Sequence, residues 1–152
     1  MSITIRPPEP DDSEILTAIA IHSKRTWGYP EEWIELWADD LTISRDYVEQ
    51  CPVFAAFADD EIVGWCSLDV VDGMCWLDHL WVLQRFLRQG IGTRLVETAL
   101  HEAARRGASL VRTVADPNAQ GFYEHMGFGK IGEKPSQPAG RVLPVLECVV
   151  GE

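Results

Sequence analysis

The chain has 152 residues, the length of one ordinary domain with a substantial core. Hydrophobic residues make up 46% of it, no apolar run is long enough to span a bilayer, and the formal net charge is -11. This balance argues against a general nucleic-acid binder, which needs a positive field, and is compatible with cationic small substrates. The opening MSITIRPPEP has neither a signal-peptide pattern nor an Arg-rich amphipathic presequence, so a cytoplasmic protein that does not engage a membrane is expected. Cys51, Cys66, Cys75 and Cys148 are scattered without metal-ligand spacing, so reduced thiols and no metal are expected.

In chain order, ITIRP alternates and stops at Pro7 and Pro8, which predicts a short first strand. DDSEILTAIAIHSKRTW predicts a helix with acidic residues at its start and Ile15, Ala18, Ile19 and His22 on one face. EEWIELWADD predicts a second helix with Trp33 and Trp37 four apart, and SRDYVEQ a short third. From residue 52 the period changes. Three β-rich runs separated by Asp59-Asp60 and Asp72-Gly73 predict an antiparallel meander. Ile91, Leu95, Ala99, Leu100 and Ala103 then form a helical stripe closed by ARRG, followed by a buried-type strand, ASLVRTVA. DPNAQGFYEHMGF predicts a short helix capped by Asp116, with Pro117 at its first position, Gly127 as its stop and Ala119, Phe122, Tyr123 and Met126 as its stripe. Two last strands are expected around 128–133 and 142–150. The order implies an α/β domain with a mixed sheet flanked by helices, and the absence of linkers or repeats predicts one domain over 1–152.

FLRQGIGTRL places two glycines where the fourth long helical pattern begins. A helix's first amides lack internal partners and its dipole makes that end partly positive, so anions bind there readily. Gly90 and Gly92 remove the Cβ atoms that would hold a phosphate away, and the Thr93 hydroxyl can add a donor. A P-loop needs Lys and then Ser or Thr after the glycines, and a dinucleotide fingerprint needs a small residue at Leu95; neither pattern is met.

LWVLQRFLRQGIGTRL resembles the acyl-CoA-binding motif of the GNAT N-acetyltransferase superfamily. NAQGFYEHMGF is similar to that family's second motif, and ITIRPPEPDDSEI to its opening strand and helix. The resemblance covers nearly the whole chain and implies the GNAT fold, a mainly antiparallel sheet with a central parallel strand pair. It implies direct transfer of an acetyl group from acetyl-CoA to a primary amine of a small molecule or peptide. A non-catalytic CoA sensor and an enzyme for longer acyl groups are the alternatives. The family's Gln/Arg position falls on Leu87, so Arg88 and Gln89 are expected to supply side-chain polarity beside the amides of Gly90, Ile91, Gly92 and Thr93. By the same resemblance Leu80, Trp81 and Val82 flank the thioester, with the amide of Trp81 or Val82 as oxyanion donor, and Asn118 contacts CoA. The resemblance allows a homodimer, which no residue pattern demands.

By its place in the motif, Tyr123 is the expected proton donor to the departing thiolate; a phenol with a reference pKa of roughly 10 stays protonated at neutral pH. In CWLDHLWV, alternation places Trp76, Asp78 and Leu80 on one face and Cys75, Leu77 and His79 on the other. Asp78, expected to be buried among these apolar residues, is the candidate base, with His79 competing. Trp27, Tyr29, Trp33 and Trp37 are candidates for walls of an acceptor pocket that accepts an apolar or cationic group. Arg141 is left with two options, a substrate carboxylate or Glu147.

Overall fold

A computed structural model describes residues 2–151. The strands are β1 (Ile3–Arg6), β2 (Val53–Ala58), β3 (Glu61–Val71), β4 (Met74–Val82), β5 (Leu110–Val114), β6 (Gly129–Pro135) and β7 (Val142–Val149). The helices are α1 (Ser13–Arg25), α2 (Glu31–Leu41), α3 (Arg45–Gln50), α4 (Ile91–Arg105) and α5 (Gln120–His125). The sheet order is β1-β2-β3-β4-β5-β7-β6. Every neighbouring pair is antiparallel except β4 and β5. The meander, the mixed sheet and the central parallel pair follow the sequence expectation.

Local chemistry sets the ends of the elements. Asp72 and Gly73 both take positive φ, 51° and 78°, which matches the right-handed twist of a tight hairpin between β3 and β4. Ser44 caps α3 by accepting from the amide of Tyr47 at 3.0 Å. Asp116 accepts from the amide of Asn118 at 2.9 Å and opens a turn of 3-10 helix, Pro117–Ala119, ahead of α5.

Two apolar layers cover the sheet. On one face Leu95, Val96, Ala99 and Ala103 of α4 bury against Cys66, Leu68, Leu77 and Val111. On the other, Leu16, Ile19, Ile34 and Trp37 of α1 and α2 bury against Phe57 and Trp65. Trp65 is fully enclosed, and its indole N–H donates to the Leu16 carbonyl at 3.0 Å, so its polar atom is satisfied. The four cysteines are free thiols, and burial pushes Cys66 up to about 12.

Two expectations are corrected. The inner face of α1 is Leu16, Ile19, Ala20, Ser23 and Lys24, so Ile15, Ala18 and His22 point outward. Ser23 and Lys24 lie on the buried stripe, and their polarity hid it. In β4, Ser67 pairs with His79 while Leu68 pairs with Leu77, so Asp78 is the extra residue of a β-bulge. The bulge shifts alternation by one. Leu80 and Val82 therefore join the face of Cys75 and Leu77, whereas His79 lies beside Trp65 on the opposite face, its ring centroid 4.9 Å away.

Gly64 sits opposite Val82, where a Cβ would meet the Trp81 carbonyl oxygen at 2.8 Å. Backbone atoms cannot yield cheaply there. Gly64→Ala is expected to destabilise the fold by about 1–3 kcal/mol, read as a lower denaturation midpoint in urea with an unchanged slope.

Candidate active site

The parallel ladder between β4 and β5 is short: Cys75 pairs with Val111 and Trp76 with Arg112, and there it ends. The last tie is a side chain, the Thr113 hydroxyl donating to the Leu77 carbonyl at 2.9 Å. Beyond it the strands part around a cleft of about 400 Å³. Leu80, Trp81 and Val82 line one wall, Ala115 and Asp116 the other, and Phe122 and Tyr123 contribute from α5. The Leu83 amide donates to Val63 at 2.9 Å, so alternation turns the Trp81 amide toward β3 and the Val82 amide into the parting. Of the two oxyanion candidates, only Val82 has the required direction. Its carbonyl points the same way and accepts from the Ser23 hydroxyl at 3.4 Å.

At the mouth, Gly90 caps α4 with φ 79° in the left-handed region, and no side chain caps the helix. The amides of Ile91, Gly92 and Thr93 are the first in the helix and have no carbonyl four residues back to receive them. A Cβ at residue 90 would meet nothing within 4 Å. Gly92 lines the cleft, and its Cβ position is in ordinary contact with Phe122 at 3.5 Å, so close helix packing is its second role. Arg88 also takes a positive φ, 65°, and with Gln89 is exposed. Leu87 is 48% exposed and lines the cleft with its apolar side chain. A string of free amides, an uncapped positive helix end and an adjacent cation fit a diphosphate, and the apolar cleft beyond fits its pantetheine arm.

Tyr123 is buried at the cleft floor between Phe122 and Phe128. Burial raises its phenol above the ordinary value, against a smaller opposing pull from Thr113. Asp78 also lines the cleft, but its side chain is 39% exposed, which removes the expected burial. Its carboxylate accepts from the Tyr47 hydroxyl at 2.6 Å, and that hydroxyl is 2.7 Å from the fully buried Ser67 hydroxyl. Sequence reasoning missed Tyr47 because α3 is distant in the chain and carries no motif. His79 lies outside the cleft lining. Its Nδ1 accepts from the Trp81 indole at 3.0 Å, and burial lowers its pKa, keeping it neutral.

Of the aromatic candidates, Trp27 alone lines the cleft, 45% exposed. Tyr29, Trp33 and Trp37 pack on one another at 5.0–5.9 Å. The cations they face are the chain's own: Lys24 and Arg141 each lie 4.6 Å from the Trp37 ring. Asp116 binds both, Lys24 at 2.6 Å and Arg141 at 3.3 Å, while the Tyr29 hydroxyl also donates to it. Arg141 thus does not take Glu147, the option within the chain, because Glu147 pairs with Arg112 at 2.7 Å. The Asn118 side chain is held locally, donating to Asp116 at 2.9 Å and to the Tyr29 hydroxyl at 3.1 Å.

Comparison with known proteins now bears on this geometry. The profile of the acetyltransferase (GNAT) family matches residues 18–128. The peptidyl-lysine N-acetyltransferase YjaB of Salmonella typhimurium is 31% identical over 158 aligned positions, 98% of this chain and 99% of its own. The crystal structure of the PaiA N-acetyltransferase from Thermoplasma acidophilum in complex with coenzyme A is 23% identical and superposes with a TM-score of 0.81, covering 98% of this chain and 99% of that one. The solution structure of apo YjaB from Escherichia coli is 25% identical with a TM-score of 0.71, covering 99% and 98%.

Burial works to raise the Asp116 carboxyl, but the hydrogen bond and charge of Lys24, the Asn118 amide and the Tyr29 hydroxyl together outweigh it, and the net shift is downward. A depressed carboxyl contributes stability that is complete above its unfolded value of about 3.9 and is lost as pH falls through the folded value. Asp116→Asn leaves two partly buried cations without their anion. It is expected to cost about 3–5 kcal/mol at neutral pH and to flatten the acid side of a stability-against-pH curve measured by denaturant unfolding.

Proposed function

The chain belongs to the GNAT acetyltransferase family, and from that premise we propose that it moves an acetyl group from acetyl-CoA directly to a primary amine of a small molecule or peptide. The observation that carries this reading is the uncapped, left-handed start of α4, whose bare amides open on the mouth of an apolar cleft. The YjaB relative named for peptidyl-lysine supports an amine acceptor. Bound acetyl-CoA supplies an activated thioester carbonyl; the chain's own groups supply positioning and proton transfer.

In this reading Ile91, Gly92 and Thr93 hold the diphosphate, with Arg88 beside them. Val82 directs its amide at the position of the carbonyl oxygen, where a fixed donor favours developing negative charge. Tyr123 keeps its proton at neutral pH because burial disfavours the phenolate, so it is available to a leaving sulfur. Asp78 accepts the amine's proton, directly or through water, with Tyr47 fixing the carboxylate on its bulge. His79, turned away from the cleft and engaged by Trp81, is the weaker base candidate.

Isothermal titration tests the cradle. Acetyl-CoA should bind Gly90→Ala about tenfold or more weakly than wild type, since the added methyl enters the ligand's space and strains the left-handed φ of 79° that aims the amides. Unchanged affinity removes the diphosphate assignment. Tyr123→Phe should retain acetyl-CoA affinity and lose about 10²-fold in turnover, measured as free thiol released with a panel of amines. Wild type releasing no thiol above hydrolysis with any amine would overturn the activity itself.

A further inference from the structure

We propose that Arg141 and Lys24 form a carboxylate subsite at the acceptor end of the cleft, so that the acceptor is a small amine that itself carries a carboxylate. This rests on the acetyltransferase reading and narrows its substrate class. The cluster holds two cations and one anion. Among the described residues, Asp116 is the only carboxylate within ion-pair distance of either Lys24 or Arg141. Glu31 and Glu147 are engaged elsewhere, with Arg25 and Arg112.

All three side chains are largely enclosed, 11% exposed for each cation and 9% for Asp116. An uncompensated positive charge held this far from water is costly, and an incoming anion relieves it. Lys24 feels this directly. Burial lowers its pKa, and the Arg141 charge adds to that effect against the pull of Asp116. Arg141 also has donors to spare. Its Nη2 serves Tyr29 at 3.0 Å and Asp116, while Nε and Nη1 have no protein partner among the described residues. Among the described residues no buried side-chain nitrogen or oxygen lacks a partner, so both of these nitrogens reach solvent. Nε–H and Nη1–H lie on different edges of the guanidinium, so each can donate to a single oxygen of an incoming carboxylate, which also supplies the missing negative charge.

The cluster adjoins the cleft because Asp116 belongs to both. It also ties together the three segments at this end: α1 through Lys24, the α1–α2 connection through Tyr29, and the β6–β7 connection through Arg141. The Trp37 indole seals the assembly by donating to the Gln137 carbonyl at 2.8 Å. The narrow exposure admits a small group and no bulky surface. The overall charge of -11 therefore does not describe this corner, which is locally positive.

The test uses the Trp37 indole N–H resonance of the intact protein as reporter, with N-acetylated amino acids and their matching amides as probes. The acids should shift the resonance saturably and bind about tenfold or more tightly than the amides. Arg141→Gln should abolish that difference while leaving Lys24 and Asp116 as a balanced pair, and Arg141→Lys should retain part of it. Equal binding of acids and amides, or no binding of the acids, overturns the subsite. In the transfer assay, Arg141→Gln should raise KM for amino acids and leave KM for acetyl-CoA unchanged. Equal turnover of free amino acids and their amides by wild type overturns the subsite and leaves the acetyltransferase reading intact. Tight binding of the acids without transfer to any amine overturns that reading and leaves the subsite standing.

Discussion

The site depends on two parallel strands ceasing to pair. Backbone N–H and C=O groups are obligatory hydrogen-bonding groups, and a strand pair that separates leaves them in need of other partners. Here β4 and β5 separate after two residue pairs, and the Thr113 hydroxyl closes the ladder where a backbone bond would otherwise continue it. The bulge at Asp78 falls at this same level of β4. A bulge bends its strand and increases its twist, which turns β4 away from a partner that cannot follow. One inserted residue thus places Asp78 on the cleft, swings His79 to the far face, and leaves the Val82 amide free on the open side.

The open side stays open because its surroundings are rigid. Gly64 lets β3 approach the backbone of β4 within the space a methyl would need, so β4 is held firmly on its paired edge. On the unpaired edge, Asp116 stands at the end of β5 and draws in side chains from α1, the α1–α2 connection and the β6–β7 connection. Hydrogen bonds to a shared, nearly dry carboxylate fix distances more tightly than exposed ion pairs do. Asp116 therefore has two structural duties, capping the turn that leads to α5 and clamping three segments at the end of β5.

Much of this was legible in the sequence, for identifiable reasons. The meander showed itself through Asp72-Gly73, because few residues accept two successive positive φ angles. The start of α4 showed itself through Gly90, and the short α5 through Asp116, Pro117 and Gly127. What escaped was any feature whose cause is non-local. CWLDHLWV is apolar on both faces, so its alternation has no marker for a bulge that only the register against Ser67 and Leu68 reveals. The inner stripe of α1 includes Lys24, whose place indoors depends on an aspartate 92 residues away. Tyr29, Trp33 and Trp37 pack together without Trp27, and the cations they face belong to the chain itself, Arg141 being brought there by the path of the β6–β7 connection.

The charge distribution completes the argument. A protein with a net charge of -11 repels an anionic cosubstrate at long range, although the Debye length of about 8 Å at physiological salt confines that repulsion. In the proposed reading, attraction must then come from groups in direct contact: neutral amides at a helix start, where a partial positive charge is built into the backbone and adds nothing to the formal charge. The same logic applies to the Asp116 cluster. Two cations gathered on one aspartate create a positive spot a few ångströms across, too local to alter the field of the whole surface. Specificity by such short-range features makes contact geometry, and so the rigidity of β4 and of the Asp116 clamp, the determinant of what binds.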